Sequence, residues 1–227
     1  WSYSPGPAAF RQANDDALRI RDLAPDRFLA FCYVNPAFPD ESLAELDRCV
    51  GGRGMVGVKL WVAVLASDPR VKALAEKAVA LEVPLFQHVW VKAGGNLPGE
   101  STPDDVASLA RAVPHLRLIM GHLHGGGLRG IETVADLPNV SVETGGSDAE
   151  AGVVERAVRR LGTRRVIFGS DVNGRQLGGQ LAKITGARLS VEAQKRILWD
   201  NLARLLPKSA GVSPIGGTGP LEEDRPR

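Results

Sequence analysis

Three side chains that could bind a metal stand at the ends of short apolar runs. His88 ends the run FQH, His122 follows IMG, and Asp171 follows FGS. Imidazole nitrogens and carboxylate oxygens are common ligands of catalytic divalent cations such as zinc. Each residue alone has a plainer explanation, since a lone histidine at a strand end is more often structural and an aspartate after a strand more often serves a turn. Three equivalent positions in one chain favour a shared metal site.

The elements that would position these residues are six apolar runs, repeated at the spacing of a strand and helix unit. They are Phe28–Val34, Met55–Trp61, Pro84–Val89, Arg117–Leu123, Val140–Thr144 and Arg165–Val172. Continuous apolar character is typical of parallel strands that are buried on both faces. The intervening stretches carry helix signals, such as Ser67-Asp68-Pro69 before one helix and Gly162 after another. The pattern predicts an α/β fold with a parallel sheet.

Two architectures share this pattern, an open doubly wound sheet and a closed barrel. No glycine-rich nucleotide-binding turn follows any of the runs, which removes the usual evidence for the open sheet. Polar residues at strand ends favour a (β/α)8 TIM barrel, because the active residues of such barrels gather at the carboxyl ends of the strands. We expect a barrel domain over residues 1–207 and a flexible tail over 208–227, where glycine, proline and charged residues dominate.

Composition excludes several classes of partner. The formal net charge is only +2, so charge gives no reason to expect nucleic acid or an anionic membrane as partner. Cys32 and Cys49 are too few for a disulfide framework and are interpreted as reduced core thiols. We find no apolar stretch long enough to span a membrane and no signal peptide, which favours a cytoplasmic protein that acts on a small-molecule substrate.

Several motifs resemble the amidohydrolase-related family of the amidohydrolase superfamily. The matching pieces are Pro25–Phe28 with Val34–Pro36, Gly57–Leu60, Val83–His88, Leu118–His122, Ile167–Asp171 and Asn201–Leu206. The resemblance implies a metal-dependent barrel whose strands three to eight are the six runs found here. His88 then corresponds to the metal ligand after strand five, His122 to the histidine after strand six, and Asp171 to the aspartate after strand eight. Strands one and two, with the His-x-His pair of strand one, are absent from the sequence shown, and we expect them upstream or on another chain.

The same resemblance implies the chemistry. Zinc bound by His88, His122 and Asp171 would activate a water that attacks a lactone, ester or amide carbonyl. Asp171 would bind the metal and act as general base, while His122 would either bind the metal or polarise the substrate. One alternative is the non-oxidative decarboxylation of an unsaturated or aromatic carboxylic acid, which the family also performs. Another is a truncated, non-catalytic relative that serves as a binding subunit.

Three further residues are predicted to contact the substrate. Trp61 and Trp90 lie just beyond strand ends and would give the pocket flat apolar walls, although packing beneath rim loops explains them equally well. Lys59 lies at the end of another strand, where some binuclear relatives carry a carbamylated lysine ligand. An exposed or paired lysine is its plain alternative. The family resemblance also suggests a homodimer.

Overall fold

The six predicted strands all form, and they join into one parallel sheet. The computed structural model describes residues 4–146 and 150–214, apart from the side chains of residues 124–126. The strands are β1 Phe31–Tyr33, β2 Gly57–Leu60, β3 Leu85–His88, β4 Leu118–Gly121, β5 Val140–Glu143 and β6 Val166–Ile167. Each lies inside its predicted run and is shorter than that run.

Strand order in the sheet follows the order in the sequence, from β1 at one edge to β6 at the other. Every neighbouring pair is parallel. Each connection therefore leaves the carboxyl end of one strand and returns through a helix to the amino end of the next. This arrangement is a partial TIM-barrel-like α/β fold, as predicted, and it brings the carboxyl ends of all six strands to one side.

Helices follow the strands in alternation and cover the sheet. They are α1 Pro7–Leu23, α2 Pro39–Leu46, α3 Pro69–Ala80, α4 Pro103–Ala112, α5 Leu123–Thr133, α6 Val153–Leu161, α7 Leu177–Thr185, α8 Val191–Lys195 and α9 Asn201–Leu205. Two π-helical turns, Asp47–Gly51 and Arg196–Asp200, extend α2 and join α8 to α9. Short 3-10 turns occupy Thr163–Arg165 and Lys208–Ala210.

Local sequence signals explain where several helices begin and end. The side chain of Asp68 caps α3 by accepting a hydrogen bond of 2.9 Å from the backbone N–H of Arg70, and Pro69 occupies the first turn. Gly162 ends α6 with a φ of 79°, a conformation that glycine adopts without steric cost. The capping residues in the sequence therefore predict these helix boundaries closely.

The start of α4 offers a direct test of such a signal. The backbone N–H and the hydroxyl of Thr102 both donate to the carboxylate of Asp105 at 2.8 Å, in a capping box ahead of Pro103. Thr102→Ala should lower the free energy of unfolding by about 1 kcal/mol, measured by urea denaturation. Thr185→Ala, which removes an exposed hydroxyl bonded to its own helix, is the matched control. Equal stability of the two variants would contradict the capping role.

The core lies between the sheet and its helices. All four residues of β4 and of β5 are buried. β4 accordingly has a continuous apolar sequence, as parallel strands covered on both faces do, whereas β5 alternates valine with the buried polar residues Ser141 and Glu143. Cys32 and Cys49 are both free and fully buried, in agreement with their interpretation as reduced core thiols. No helix in the described ranges has both the length and the apolar character that a membrane crossing needs.

The predicted flexible tail falls mostly beyond the described part of the chain. Within residues 208–214 the chain makes a 3-10 turn and then continues without regular structure. Residues 215–227 lie outside the described residues. The flexibility of the segment 208–227 therefore stays a prediction.

Candidate metal centre

Two predicted ligands, His88 and His122, lie on neighbouring strands at the carboxyl edge of the sheet. His88 is the last residue of β3 and pairs in register with Gly121, the last residue of β4. His122 follows Gly121 directly, so the two histidines end adjacent strands at nearly the same level. Both are buried, with 8% and 7% of their surfaces exposed. The parallel register is thus what brings together two residues separated by a whole strand and helix unit.

The two imidazole rings meet through one nitrogen each. The Nδ1 atom of His88 lies 3.2 Å from the Nε2 atom of His122, and the rings are nearly perpendicular. Two nitrogens bound to one tetrahedral zinc at its usual bond length would lie about 3.3 Å apart. The observed separation equally suits a single N–H···N hydrogen bond. The protons on the far nitrogens decide which of these arrangements is available.

The far nitrogen of His88 contacts a buried carboxylate. Its Nε2 atom lies 3.1 Å from Oε1 of Glu100, whose side chain also accepts hydrogen bonds from the Lys92 ammonium at 2.6 and 2.9 Å and from the Leu97 backbone at 2.9 Å. Burial alone would raise the pKa of Glu100, but these hydrogen bonds together hold it below its usual value. An ionised Glu100 can only accept, so the proton of His88 belongs on Nε2 and the lone pair on Nδ1 faces His122.

His88 is held in its neutral form. Burial lowers its pKa to about 4, the Coulomb interactions with Lys59 and His122 act in the same direction, and the hydrogen bond to Glu100 opposes them. A histidine must be neutral to bind a metal. His88 therefore meets that condition at neutral pH without any change in its surroundings.

His122 also lies near a buried carboxylate, that of Glu143 at the end of β5. The Oε2 atom of Glu143 is 3.5 Å from Nδ1 of His122, and within the described residues neither atom has a hydrogen-bond partner. The other carboxylate oxygen accepts a hydrogen bond of 2.6 Å from the backbone N–H of Gly145. Both histidines thus direct one nitrogen toward the other histidine and the second nitrogen toward a carboxylate. Carboxylates commonly occupy this outer position around metal-binding histidines.

Sequence reasoning missed Glu100 and Glu143. A signal for Glu143 does exist, because it ends its apolar strand in the same way that His88 ends β3. Glu100 carries no such signal, since it lies in the long loop between β3 and α4 and reaches His88 only through the fold of that loop.

Of the two tryptophans predicted to line the pocket, Trp90 lies beside the two histidines. Its ring is nearly parallel to that of His88, with centroids 6.3 Å apart, and it approaches His122 edge-on at 5.6 Å. Trp61 lies directly after β2 and is partly buried. Trp90 thus gives the histidine pair a flat aromatic neighbour, while contact of either tryptophan with a substrate stays a prediction.

Lys59 lies on β2 with its ammonium 3.9 Å from the centre of the Phe86 ring, a cation–π contact. Burial lowers its pKa to about 8, although the negative charges of Glu143 and Asp171 oppose the shift. Lys59 is therefore a partly buried cation beside acidic groups of the same edge. Its predicted role in substrate binding remains open.

Asp171, the third predicted ligand, does not complete a three-residue metal-binding group with the two histidines in the described part of the chain. It occupies an exposed turn with a φ of 47°, and its carbonyl accepts hydrogen bonds from the backbones of Gly174 and Arg175. Among the side chains that the structure describes, which do not include that of His124, no three of histidine, cysteine, aspartate or glutamate lie close enough to hold one metal ion. The run expected to continue to Val172 leaves the sheet after Ile167, so Asp171 lies four residues beyond the end of β6. Metal binding by Asp171 stays a prediction.

Comparison with solved structures identifies proteins of similar fold. A 2,6-dihydroxybenzoate decarboxylase from Rhizobium matches with a TM-score of 0.73 and 19% identity, over 89% of this chain and 79% of the other. A dihydroxybenzoic acid decarboxylase from Polaromonas sp. JS666, solved with manganese and 2-nitroresorcinol, matches at 0.69 and 18%, over 88% and 75%. A 5-carboxyvanillate decarboxylase from Sphingomonas paucimobilis matches at 0.72 and 17%, over 88% and 72%. At these identities the likeness concerns the fold.

A family model gives the assignment that fold likeness alone does not. No curated protein matches the chain by sequence. The model of the amidohydrolase family, by contrast, matches residues 5–208. That range contains the whole described sheet, both histidines, their two carboxylate neighbours and Asp171, and it agrees with the resemblance found in the sequence motifs. The chain belongs to the amidohydrolase family.

Proposed function

We propose that the protein is a divalent-metal-dependent decarboxylase that acts on an aromatic carboxylic acid. The observation that carries this proposal is the pair of facing nitrogens on His88 and His122, 3.2 Å apart, with the far nitrogen of His88 bound to Glu100. Both histidines are well suited to hold a cation, and Asp171 is the predicted third donor. Similarity of fold to decarboxylases of 2,6-dihydroxybenzoate and 5-carboxyvanillate supports decarboxylation over the hydrolysis first expected from the sequence.

The residues around the pair suit an aromatic acid. Trp90 presents an aromatic surface beside His88, against which a planar ring can stack. Lys59 supplies a cation for a substrate carboxylate. In the net reaction the bond between the ring carbon and the carboxylate breaks, its electron pair stays on the ring carbon, a proton is added there, and carbon dioxide leaves. Asp171 is the side chain assigned to hold and pass that proton, while His122 is assigned to the cation.

A bound cation would supply fixed positive charge next to an anionic substrate. The similar structure from Polaromonas contains manganese. The proposal therefore names a divalent cation and does not choose zinc over manganese. Hydrolysis of a lactone, ester or amide would use the same histidines, and the non-catalytic alternative would use none of them for turnover. These alternatives are distinguished by their products.

The test is an assay of the intact protein loaded separately with Zn²⁺ and Mn²⁺. We expect carbon dioxide and a decarboxylated arene in equal amounts from 2,6-dihydroxybenzoate or 5-carboxyvanillate, with one deuterium on the ring carbon when the reaction runs in D2O. Turnover should stop when a chelator removes the metal. A panel of lactones, esters and amides in H2¹⁸O is the counter-assay. Incorporation of ¹⁸O into an acid without carbon dioxide release would overturn the proposal in favour of hydrolysis, and absence of both turnover and metal binding would overturn it in favour of a binding subunit.

A further inference from the structure

We infer that Glu143 is a positioning residue that fixes the tautomer and the orientation of His122, so that Nε2 of His122 carries a lone pair toward His88. The inference rests on the proposed function in one respect, since it concerns the same histidine pair. It assigns to Glu143 a role in building the cation site rather than in contacting the substrate.

The sheet determines where Glu143 lies. Glu143 ends β5 and pairs in register with Gly121, the residue before His122. A carboxylate on β5 and an imidazole after β4 therefore meet across adjacent strands, in the same way that His88 and His122 meet across β3 and β4. Because Glu143 is 5% exposed, its carboxylate has little access to solvent and depends on the protein for hydrogen bonds.

One oxygen of Glu143 is fixed and the other is free. Oε1 accepts the backbone N–H of Gly145 at 2.6 Å, which sets the rotation of the carboxylate. Oε2 then lies 3.5 Å from Nδ1 of His122, and these are two of the buried polar atoms left without a hydrogen bond in the described part of the chain. Nδ1 of His122 can donate a hydrogen bond and Oε2 of Glu143 can accept one. The two atoms would form a hydrogen bond of ordinary length if the side chains moved together by a few tenths of an ångström.

Three glycines make room for this pair. A Cβ atom at Gly169 or at Gly145 would overlap the carboxylate of Glu143, and one at Gly146 would overlap the ring of His122. Gly146 also has a φ of 97°, which side chains rarely tolerate. Glycine at three positions around one carboxylate and one ring is a specific arrangement that a chance contact does not require.

The chemistry of the pair sets the position of the proton. A carboxylate is only an acceptor, so Nδ1 of His122 must donate and Nε2 must carry the lone pair. On the other side, Glu100 places the proton of His88 on Nε2, away from the shared space. The two facing nitrogens then both present lone pairs at 3.2 Å, and no N–H···N hydrogen bond can form between them. A cation held by both histidines would relieve the repulsion of these lone pairs, so the two carboxylates would favour metal binding over a direct contact between the histidines.

Glu143→Gln tests the inference, because glutamine keeps the shape of the side chain and can donate a hydrogen bond to Nδ1. In the wild-type, metal-free protein, ¹⁵N NMR should find the proton of His122 on Nδ1, with the signal identified by its loss in His122→Gln. In Glu143→Gln the proton should move to Nε2, and the affinity for Zn²⁺ or Mn²⁺ should fall by about 10–100-fold. The decarboxylase kcat should fall more than KM changes.

Two further variants keep the outcome interpretable. Glu132→Gln removes an exposed carboxylate of α5 that pairs with Arg156 and Arg160, and it should leave both tautomer and metal affinity unchanged. Gly169→Ala retains Glu143 but displaces its carboxylate, so it should reduce metal affinity as Glu143→Gln does. A wild-type tautomer and affinity in a folded Glu143→Gln protein would overturn the inference. The tautomer measurement needs neither metal nor substrate, so a failure of the proposed decarboxylation would leave its result standing.

Discussion

Replacing His88 with glutamine is expected to remove the divalent cation from the protein and to lower the rate of decarboxylation more than 100-fold. His88 offers its Nδ1 lone pair directly to the space that it shares with His122, so in the proposed centre it would contact the metal itself. Loss of an outer carboxylate around a metal site typically costs about 10–100-fold in affinity or activity, and loss of a ligand itself should exceed this. Metal content by mass spectrometry and steady-state kinetics measure the two effects.

His115→Gln is the matched control for this change. His115 is exposed and lies in the connection before β4, at the opposite end of the strand from His122. It should retain the metal and the activity. A His88→Gln protein that kept a full equivalent of metal would contradict the proposed centre. The contact between His88 and His122 would then have only a structural role.

The second large effect concerns acid stability in the metal-free protein. Burial lowers the pKa of His88 to about 4 from an ordinary value near 6.5. The unfolded chain therefore binds a proton at this residue between pH 6.5 and 4 while the folded chain does not. The stability associated with neutral His88 is fully present above pH 6.5 and is lost as the pH falls toward 4. A difference of this size corresponds to roughly 3 kcal/mol.

Urea denaturation in the presence of a chelator, at pH 7.5 and at pH 4.5, measures this loss. Other groups titrate over the same interval, so the informative quantity is the difference between proteins. His88→Gln should lose less stability than the wild-type protein by up to roughly 3 kcal/mol, whereas His115→Gln should follow the wild-type curve. Identical pH dependence of His88→Gln and the wild-type protein would show that the burial of His88 does not control acid stability.

Much of the fold is predictable from the sequence because the signals are local and repeated. Apolar runs such as Leu118–Gly121 are continuous because their strands are covered on both faces, and caps such as Asp68 mark helix starts within a residue. The end of β6 was not predictable in this way. Directly after β6, the N–H of Phe168 donates to the carbonyl of Ile197, a residue far along the chain, so the backbone there bonds to a distant segment that no local sequence signal indicates.

The candidate site also contains some residues that the sequence predicts and others that only the tertiary structure reveals. His88 and His122 are recognisable because each follows an apolar run, and parallel register then guarantees that they meet. The carboxylate behind His88 is not recognisable, because Glu100 is positioned by its loop, through bonds to Lys92 and the Leu97 backbone. The sequence therefore predicts which residues end the strands, but loop conformation decides which residues support them.

The glycines around Glu143 also have a cost that no contact distance reveals. Gly145, Gly146 and Gly169 leave the unfolded chain with more backbone freedom than alanine would, which typically lowers stability by about 0.4–1 kcal/mol at a position whose backbone alanine could adopt, as it could not at Gly146 with its φ of 97°. The space that they leave for a carboxylate and an imidazole ring is thus accompanied by a larger loss of backbone entropy on folding. Substitutions that reduce this entropy loss would fill the space beside Glu143 and His122, so a search for stabilising substitutions should leave these three positions unchanged.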